Sequence, residues 1–152
     1  MGSVDGASRE RIAVAPGDFT VSVAQSEDRA HNLVDGDADT RWFGDQDGGT
    51  WIAATLSSAS DLAGLELQMA TRSLLDYPRE LRIESTDAAG VTRTLYEATP
   101  YPEFIAGLVK SAAYPAITIL LPPNATKQLR IRETGKVPRW WSVHELRLWK
   151  RR

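Results

Sequence analysis

The chain has 152 residues, a formal net charge of −2 and no cysteine. This length predicts one domain that buries a core of its own. The small charge gives no general attraction for nucleic acid or an anionic membrane, so nucleic acid is not an expected partner. The lack of cysteine excludes disulfides, zinc–thiolate sites and a cysteine nucleophile. No apolar run approaches the length of about 20 residues that a membrane-spanning helix needs.

The N-terminal segment is small, polar and without a periodic apolar pattern up to Gly17. It has neither the basic nor the apolar region of a signal peptide. Residues 1–17 are therefore expected to form a flexible tail or linker, and residues 18–150 the folded domain. We expect this domain to be part of a larger polypeptide.

From Phe19 onward, short segments carry apolar residues at every second position, which predicts β-strands. Turn signals rich in Gly, Pro and Asp separate them. Residues 101–111 instead show helical spacing and predict a short helix or an irregular loop. Frequent strands without long helices predict an all-β sandwich or barrel. The strand segments are residues 19–23, 65–69, 81–83, 117–121, 129–131 and 143–148.

The segment between residues 32 and 40 is rich in oxygen donors, which are the ligands that Ca²⁺ prefers. Carboxylates held 4 Å apart in such a turn repel one another by about 4 kcal/mol per pair. The spacing fits the first acidic positions of an EF-hand loop, but its glycine and closing glutamate positions hold Thr40 and Gln46. Two interpretations stay open: a solvated turn whose carboxylates accept backbone N–H groups, or a cation site closed by a distant ligand. The donors are Asn32, Asp35, Asp37, Asp39 and Thr40.

Catalytic motifs are weak in this sequence. It has no G-x-S-x-G motif and no phosphate-binding glycine loop, and His144-Glu145 lacks the second histidine of a metalloprotease helix. His144 lies in an apparent C-terminal strand, where a structural histidine is the expected role. Asp45 and Asp47 could form a glycosidase pair, but a glycine-rich turn lacks the apolar pocket that raises the pKa of the acid. The chain is therefore not expected to be an enzyme.

The five tryptophans give a clearer indication of function than the catalytic motifs do. Trp140 and Trp141 follow Pro138 in what is expected to be a loop. Neighbours on an extended segment point to opposite sides, so one indole can join the core while the other faces outward. An exposed Trp beside Arg139 suits the stacking of a sugar ring and hydrogen bonding to its hydroxyls. The alternative is that both indoles fill one end of the sandwich.

Five spaced motifs occur in one order along the chain: Asn32-x-x-Asp35-Gly-Asp37-x-x-Thr40-x-Trp42, Trp51 opening a strand, Tyr77-Pro78-Arg79-x-Leu81-x-Ile83-x-Ser85, Leu129-x-Ile131 and Trp141-Ser-Val-His-Glu145-Leu-x-Leu. Over residues 19–149 this series resembles the coagulation factor five/eight type C, or discoidin, domain. The resemblance implies a galactose-binding-like jelly-roll β-sandwich of antiparallel strands. Bacterial members of the family are commonly carbohydrate-binding modules of family thirty-two, attached to glycoside-active enzymes or cell-surface proteins.

The resemblance also implies two sites. A structural Ca²⁺ would be held by the Asn32 carbonyl, Asp35, Asp37, the carbonyl and hydroxyl of Thr40, and Glu145, with the His144 carbonyl adjacent and Asp39 a solvent-facing neighbour. A ligand site would lie in the loops at one end of the sandwich, where the histidine that many sugar-binding members use has no clear counterpart. Its candidate residues here are Phe43, Arg72, Asp76, Arg139 and Trp140.

These observations together predict a non-catalytic, calcium-stabilised module that binds a glycan as an accessory domain of an extracytoplasmic protein. One alternative is a protein- or lipid-binding adhesion module, for which exposed apolar residues on the loops would be the sign. The other is a purely structural accessory domain of a larger membrane-anchored enzyme.

Overall fold

The computed structural model describes residues 11–152. Short antiparallel strands dominate this range, and one α-helix and three 3₁₀ segments lie between them. The helix α1 spans Tyr101–Lys110, and the 3₁₀ segments are Pro16–Asp18, Glu27–Leu33 and Thr71–Asp76. The strands are β1 (Arg11–Ala13), β2 (Phe19–Val23), β3 (Trp42–Asp47), β4 (Trp51–Ser60), β5 (Leu62–Gln68), β6 (Leu81–Thr86), β7 (Thr92–Ala98), β8 (Ala116–Leu120), β9 (Thr126–Glu133), β10 (Lys136–Val143) and β11 (Glu145–Arg151).

Two larger sheets form the sandwich. One has the strand order β1-β11-β5-β8 and the other has the order β2-β4-β9-β6-β7, while β3 and β10 form a separate two-stranded sheet. Every one of these pairings is antiparallel. The predicted all-β antiparallel sandwich is therefore confirmed. Among the helices in the described range, none is long and apolar enough to cross a membrane.

The core lies between the inner faces of the two sheets. Ile52, Ile131 and Ile83 stand in register across β4, β9 and β6, and all three are fully buried. Leu65 and Ile119 are paired across β5 and β8 on the opposing sheet and are buried as well. Each such side chain contributes about 1.5–3 kcal/mol through its removal from water. The alternation of apolar residues seen in the sequence is what builds this interior.

Trp42 and Trp141 close the core beneath the β3–β10 pair. Their rings meet edge to face with centroids 5.1 Å apart and planes at 89°. The Trp42 indole N–H donates to the Gln25 carbonyl at 2.8 Å, so its polar atom is satisfied although the side chain is fully buried. Both large side chains therefore anchor the small sheet to the sandwich.

The expectation of a loop before Trp140 is wrong, because Pro138 lies within β10. The pairing of β10 with β3 shifts register between Lys136 and Trp140, and Pro138 falls in this interval. A proline is tolerated where an irregular pairing leaves its position without a required N–H donor. His144 likewise lies between β10 and β11 rather than within a strand.

Strand β7 was not predicted, because its residues are mostly exposed and show no apolar alternation. Of the two structures predicted for residues 101–111, a short helix or an irregular loop, the helix is confirmed, since α1 spans Tyr101–Lys110. At the N terminus, Arg11–Ala13 pairs with the last strand, although residues 1–17 were expected to form a tail. Residues 1–10 lie outside the described range, so the tail stays a prediction for them.

Gly107 allows α1 to pack against β8, and this contact gives a first prediction. A Cβ at Gly107 would overlap the backbone of Ala116, most severely its carbonyl oxygen. Gly107→Ala is therefore expected to push the helix off the strand and to lower the free energy of unfolding by about 1–3 kcal/mol. Urea unfolding measures the change. Gly17→Ala is the control, since a Cβ there meets nothing within 4 Å; equal stability of the two variants would contradict the packing.

Candidate functional site

A cleft of 540 Å³ opens beside the β3–β10 pair. Trp140 stands in its wall with 51% of its surface exposed, whereas Trp141 is fully buried. The prediction that the two neighbouring indoles point to opposite sides is therefore confirmed. The cleft combines an aromatic wall with charged and amide groups. Its lining residues are Asp45, Gln46, Asp47, Asp76, Val137, Pro138, Arg139 and Trp140.

Phe43 supports the exposed indole from the side. The rings of Phe43 and Trp140 meet at 66° with their centroids 5.1 Å apart. The guanidinium carbons of Arg29 and Arg41 lie 5.1 and 5.2 Å from the Phe43 centroid, within cation–π range. Phe43 is thus held between cations, and Trp140 rests on a fixed neighbour.

Gln46 joins the three segments that form the cleft. Its amide nitrogen donates to the carbonyls of Tyr77 and Trp140, both at 3.0 Å. Its amide oxygen accepts from the backbone N–H of Arg79 at 3.0 Å. The side chain is only 2% exposed, and loss of these bonds would leave buried polar groups unpaired at about 1–3 kcal/mol each. Gln46 therefore connects β3 to β10 and to the segment that holds Tyr77 and Arg79.

Gln25 holds the acidic side of the cleft in place. Its amide oxygen accepts from the Asp45 N–H at 2.7 Å and from the Thr50 hydroxyl at 3.0 Å. Its amide nitrogen donates to the Asp45 carboxylate at 3.1 Å. The Asp45 carboxylate is thus oriented by a neutral donor.

Asp76 is oriented in a similar way. The Ser142 hydroxyl donates to its carboxylate at 2.8 Å, and an Arg41 nitrogen lies 3.4 Å from the same oxygen. Arg41 also donates to the Ser142 hydroxyl at 3.1 Å. This network links the residue after the acidic loop to the cleft.

The candidate ligand residues fall into two groups. Asp76, Arg139 and Trp140 line the cleft, and Phe43 packs behind them. Arg72 does not line the cleft, because its guanidinium donates to the Asp39 carbonyl of the acidic loop. Sequence reasoning missed Gln46, whose position within a β-strand gave no sign of its role.

The acidic loop is held by its own side chains. The Asp35 carboxylate accepts from the Asp37 N–H at 2.9 Å and from the Thr40 hydroxyl at 2.5 Å. The Asp37 carboxylate accepts from the Asp39 N–H at 2.9 Å. Gly36 has a φ of +75°, a left-handed conformation that other residues adopt only with strain. The turn interpretation therefore describes the contacts within the loop.

Glu145 faces this loop from the start of β11. Burial raises the pKa of its carboxyl, the Arg147 charge and the Gly36 amide lower it, and Asp35 and Asp37 raise it. The side chain is 6% exposed, and its Oε1 atom is buried without a hydrogen-bond partner. The predicted distant acid is thus adjacent to the loop.

A hard cation such as Ca²⁺ needs several oxygen ligands around one point, and the oxygen atoms near Glu145 are the candidates. Within residues 11–152, no three His, Cys, Asp or Glu side chains are grouped closely enough to hold a metal ion. Three of the predicted ligands are the carboxylates of Asp35, Asp37 and Glu145, and the structure does not group them around one point. The other predicted ligands are backbone carbonyls and a hydroxyl, which Ca²⁺ also accepts. The Asn32 side-chain amide donates to the Arg41 carbonyl at 2.8 Å and so helps to hold the loop. The unpaired Glu145 oxygen fits such an ion.

His144 is a buried structural residue. Its Nδ1 lies 2.7 Å from the Ala38 carbonyl and therefore carries the proton, while Nε2 lies 2.9 Å from the Ser73 hydroxyl. Burial lowers the pKa of His144, which favours the neutral ring. Ser73 and His144 are 1% and 0% exposed, so this Ser–His pair offers no access to a substrate. It joins the acidic loop to the segment that carries Asp76.

Glu133 is a second buried acid, located at the end of β9. One carboxylate oxygen accepts from the backbone N–H groups of Arg79 and Glu80 at 3.1 and 3.4 Å, and the other has no partner. Burial raises the pKa of Glu133 to about 7, although the N–H donors lower it. The side chain thus holds the segment before β6 beneath the cleft.

Solved structures share this fold. A family 32 carbohydrate-binding module of NanJ from Clostridium perfringens, in complex with galactose, has a TM-score of 0.68 at 16% identity, covering 92% of this chain and 99% of that chain. A single-site mutant of chitosan-binding module 1 from a Paenibacillus sp. IK-5 chitosanase/glucanase has a TM-score of 0.61 at 20% identity, with coverages of 86% and 92%. The sequence itself matches no protein-family model and no curated protein.

The family 32 module of AlyQ gives a third comparison. In complex with 4,5-unsaturated mannuronic acid, it has a TM-score of 0.62 at 18% identity, covering 85% of this chain and 92% of that chain. In a truncated AlyQ that also holds an alginate lyase domain, the TM-score is 0.66 at 16% identity and the match covers 93% of this chain but 34% of that chain. The galactose-binding-like sandwich implied by the sequence motifs is therefore confirmed as the fold.

Glu133 predicts a specific pH dependence of stability. The pKa of Glu133 is about 7 in the folded state and 4.5 in the reference state. Between pH 4.5 and 7 the folded chain therefore binds more protons than the unfolded chain. The contribution of the protonated carboxyl is complete below the lower pKa and is lost as the pH rises through 7. Glu133→Gln cannot ionise, so its stability relative to the parent chain should rise by up to about 3 kcal/mol between pH 4.5 and 8.

Urea unfolding at several pH values measures this difference. Glu80→Gln is the matched control, because Glu80 is exposed and its removal should leave the pH profile parallel to that of the parent. Parallel profiles for Glu133→Gln as well would contradict the raised pKa.

Proposed function

We propose that the chain is a non-catalytic module that binds a glycan in the cleft beside Trp140. The observation that carries this proposal is a half-exposed indole in the wall of a 540 Å³ cleft. A flat aromatic face stacks on the apolar face of a sugar ring, and the polar groups around it pair with the hydroxyls. The solved structures of the same fold that carry sugars support the proposal.

The polar groups of the cleft suit this role because they are already positioned. Asp45 is oriented by Gln25 and Asp76 by Ser142, so neither has to be ordered when a ligand arrives. Fixed groups lose little conformational entropy on binding. Arg139 adds guanidinium donors to the lining. The proposed ligand residues are therefore Asp76, Arg139 and Trp140, with Phe43 as the support of the indole.

We also propose that a Ca²⁺ ion stabilises the acidic loop. The predicted ligands are the carbonyls of Asn32 and His144, the side chains of Asp35, Asp37 and Glu145, and both oxygens of Thr40. The buried Glu145 oxygen without a partner is the observation that favours an ion here. A bound ion would neutralise the mutual repulsion of the carboxylates and tie the loop to β11.

A place within a larger extracytoplasmic protein follows from the same proposal. Glycans that such modules bind lie outside the cytoplasm, and the matched AlyQ module shares its chain with a lyase domain. The module would then hold a catalytic or anchoring partner close to a polysaccharide surface, which raises the effective concentration of the substrate.

An adhesion module is the second candidate function. Leu75 is 62% exposed and precedes the cleft residue Asp76. An exposed apolar residue on a loop is the kind of group that inserts into a lipid interface or packs on a protein. Binding to lipid vesicles with no binding to glycans would favour this function over the first.

Trp140→Ala tests the glycan proposal. Loss of the stacking face is expected to weaken glycan binding at least about tenfold, or about 1.4 kcal/mol. A glycan array identifies the ligand, and isothermal titration calorimetry then measures the affinity. The variant should still unfold in one cooperative transition, with a melting temperature that falls only by the cost of the buried half of the indole.

Leu120→Ala is the control for this substitution. Leu120 is 61% exposed on β8, away from the residues that line the cleft. Its variant should bind with the affinity of the parent chain. Equal affinity of Trp140→Ala and the parent would remove the cleft as the glycan site.

Chelation tests the ion. An ion present at one hundred times its dissociation constant adds about 2.7 kcal/mol of stability. Its removal by excess chelator should lower the melting temperature by about 5–10 °C for a chain of this size. Glu145→Gln should abolish the response to added Ca²⁺, since it removes the charge of the distant ligand.

Asp39→Asn is the control, because the Asp39 carboxylate accepts from the Tyr114 hydroxyl at 2.9 Å and is not a predicted ligand. This variant should keep the full response to Ca²⁺. A melting temperature that excess chelator leaves unchanged would contradict the ion site.

A further inference from the structure

The charges that line the cleft are unequal. Asp45, Asp47 and Asp76 contribute carboxylates, and Arg139 is the single cation of the lining in the described range. An excess of one charge in a cleft raises the local concentration of ligands of the opposite charge. The chain as a whole carries only −2, so this excess is a local property of the cleft.

Asp45 and Asp47 are the carboxylates of the lining that have no cationic partner within ion-pair distance among the described residues. Asp45 is held by the neutral amide of Gln25 at 3.1 Å. Asp76 accepts from the Ser142 hydroxyl at 2.8 Å and forms an ion pair with Arg41 at 3.4 Å, so its charge is partly offset. Neutral donors orient a carboxylate and leave its charge available to a ligand.

Asp47 is the most available of these acids. It is exposed, and within residues 11–152 it forms no ion pair. Its cross-strand partner is Lys136, whose side chain extends over Gly48 instead. The Lys136 charge therefore offsets Asp47 only through solvent, where screening is strong.

We propose that the cleft selects sugars that carry a free amino group, such as oligomers of glucosamine, over N-acetylated and over acidic sugars. This selectivity rests on the proposed glycan binding at the same cleft. An ammonium group offers three donors and a positive charge to the carboxylates of Asp45 and Asp47, while the sugar ring stacks on Trp140. N-acetylation removes the charge, and a uronate brings a like charge to the carboxylates, which opposes binding.

Isothermal titration calorimetry at about pH 6 and low ionic strength tests the selectivity. The ligands are the tetramers of glucosamine, N-acetylglucosamine and mannuronate, with lactose as a neutral reference. The glucosamine tetramer is expected to bind at least about tenfold more tightly than its acetylated form, the gain of about one charge-assisted hydrogen bond. The mannuronate tetramer should bind most weakly.

Asp47→Asn removes the free carboxylate without changing the shape of the cleft. It should lower affinity for the glucosamine tetramer about tenfold and leave affinity for the acetylated tetramer within about twofold. Asp45→Asn, which keeps an oxygen for the Gln25 amide, should act in the same direction. Asp18→Asn is the control for overall charge, because Asp18 is exposed and lies outside the cleft lining.

The outcomes separate the selectivity from the proposed function. Preference for acetylated, neutral or acidic sugars, lost in Trp140→Ala, would overturn the amine selectivity and keep glycan binding. An equal loss of amine binding in Asp18→Asn and Asp47→Asn would show nonspecific attraction and also overturn it. If none of these sugars binds, the amine selectivity fails, and the proposed function fails as well only if the glycan array also gives no ligand.

Discussion

The buried residues 142–145 connect the acidic loop, the cleft and the four-stranded sheet. They carry the chain from the β3–β10 pair into the four-stranded sheet, and all four are buried. Ser142 bonds to Asp76 of the cleft, His144 bonds to the acidic loop and to the segment before Asp76, and Glu145 faces the loop. The backbone N–H of His144 also donates to the Gln68 carbonyl at 2.7 Å. Because unpaired buried polar groups are costly, this short stretch fixes the loop and the cleft relative to each other.

The cleft gains its rigidity from neutral amide side chains. Gln46 spans three segments and Gln25 orients Asp45, and neither contributes a charge. Asp76 is paired with Arg41, whereas Asp45 is held by a neutral donor, and a carboxylate held in this way keeps its charge available to a ligand. The exposed face of Trp140 and the carboxylates are thus presented together, which is the arrangement that a ring bearing a polar or cationic substituent requires.

Part of this structure could be predicted from the sequence, and the limits have physical causes. Period-two alternation predicts the strands that have one buried face, and it correctly separates Trp140 from Trp141. It fails for Thr92–Ala98, because an exposed edge strand needs no apolar face. It also fails for Trp42–Asp47, whose buried positions hold Trp, Gly and Gln instead of a row of apolar residues. The resemblance to a known domain suggests the contact between Glu145 and the loop, which is remote in sequence. The sequence could not show that Arg72 donates to the Asp39 carbonyl and lies apart from the other candidate ligand residues, because this depends on the direction of its side chain.

The most direct measurement is an NMR titration of the isotope-labelled chain with the glucosamine tetramer and, separately, with lactose. We expect shifts of the backbone amides of Asp45, Asp47 and Asp76 and of the Trp140 indole N–H, and no shifts of the amides on the outer face of the five-stranded sheet. Shifts confined to that sheet, or no shift in the presence of either sugar, would contradict this expectation.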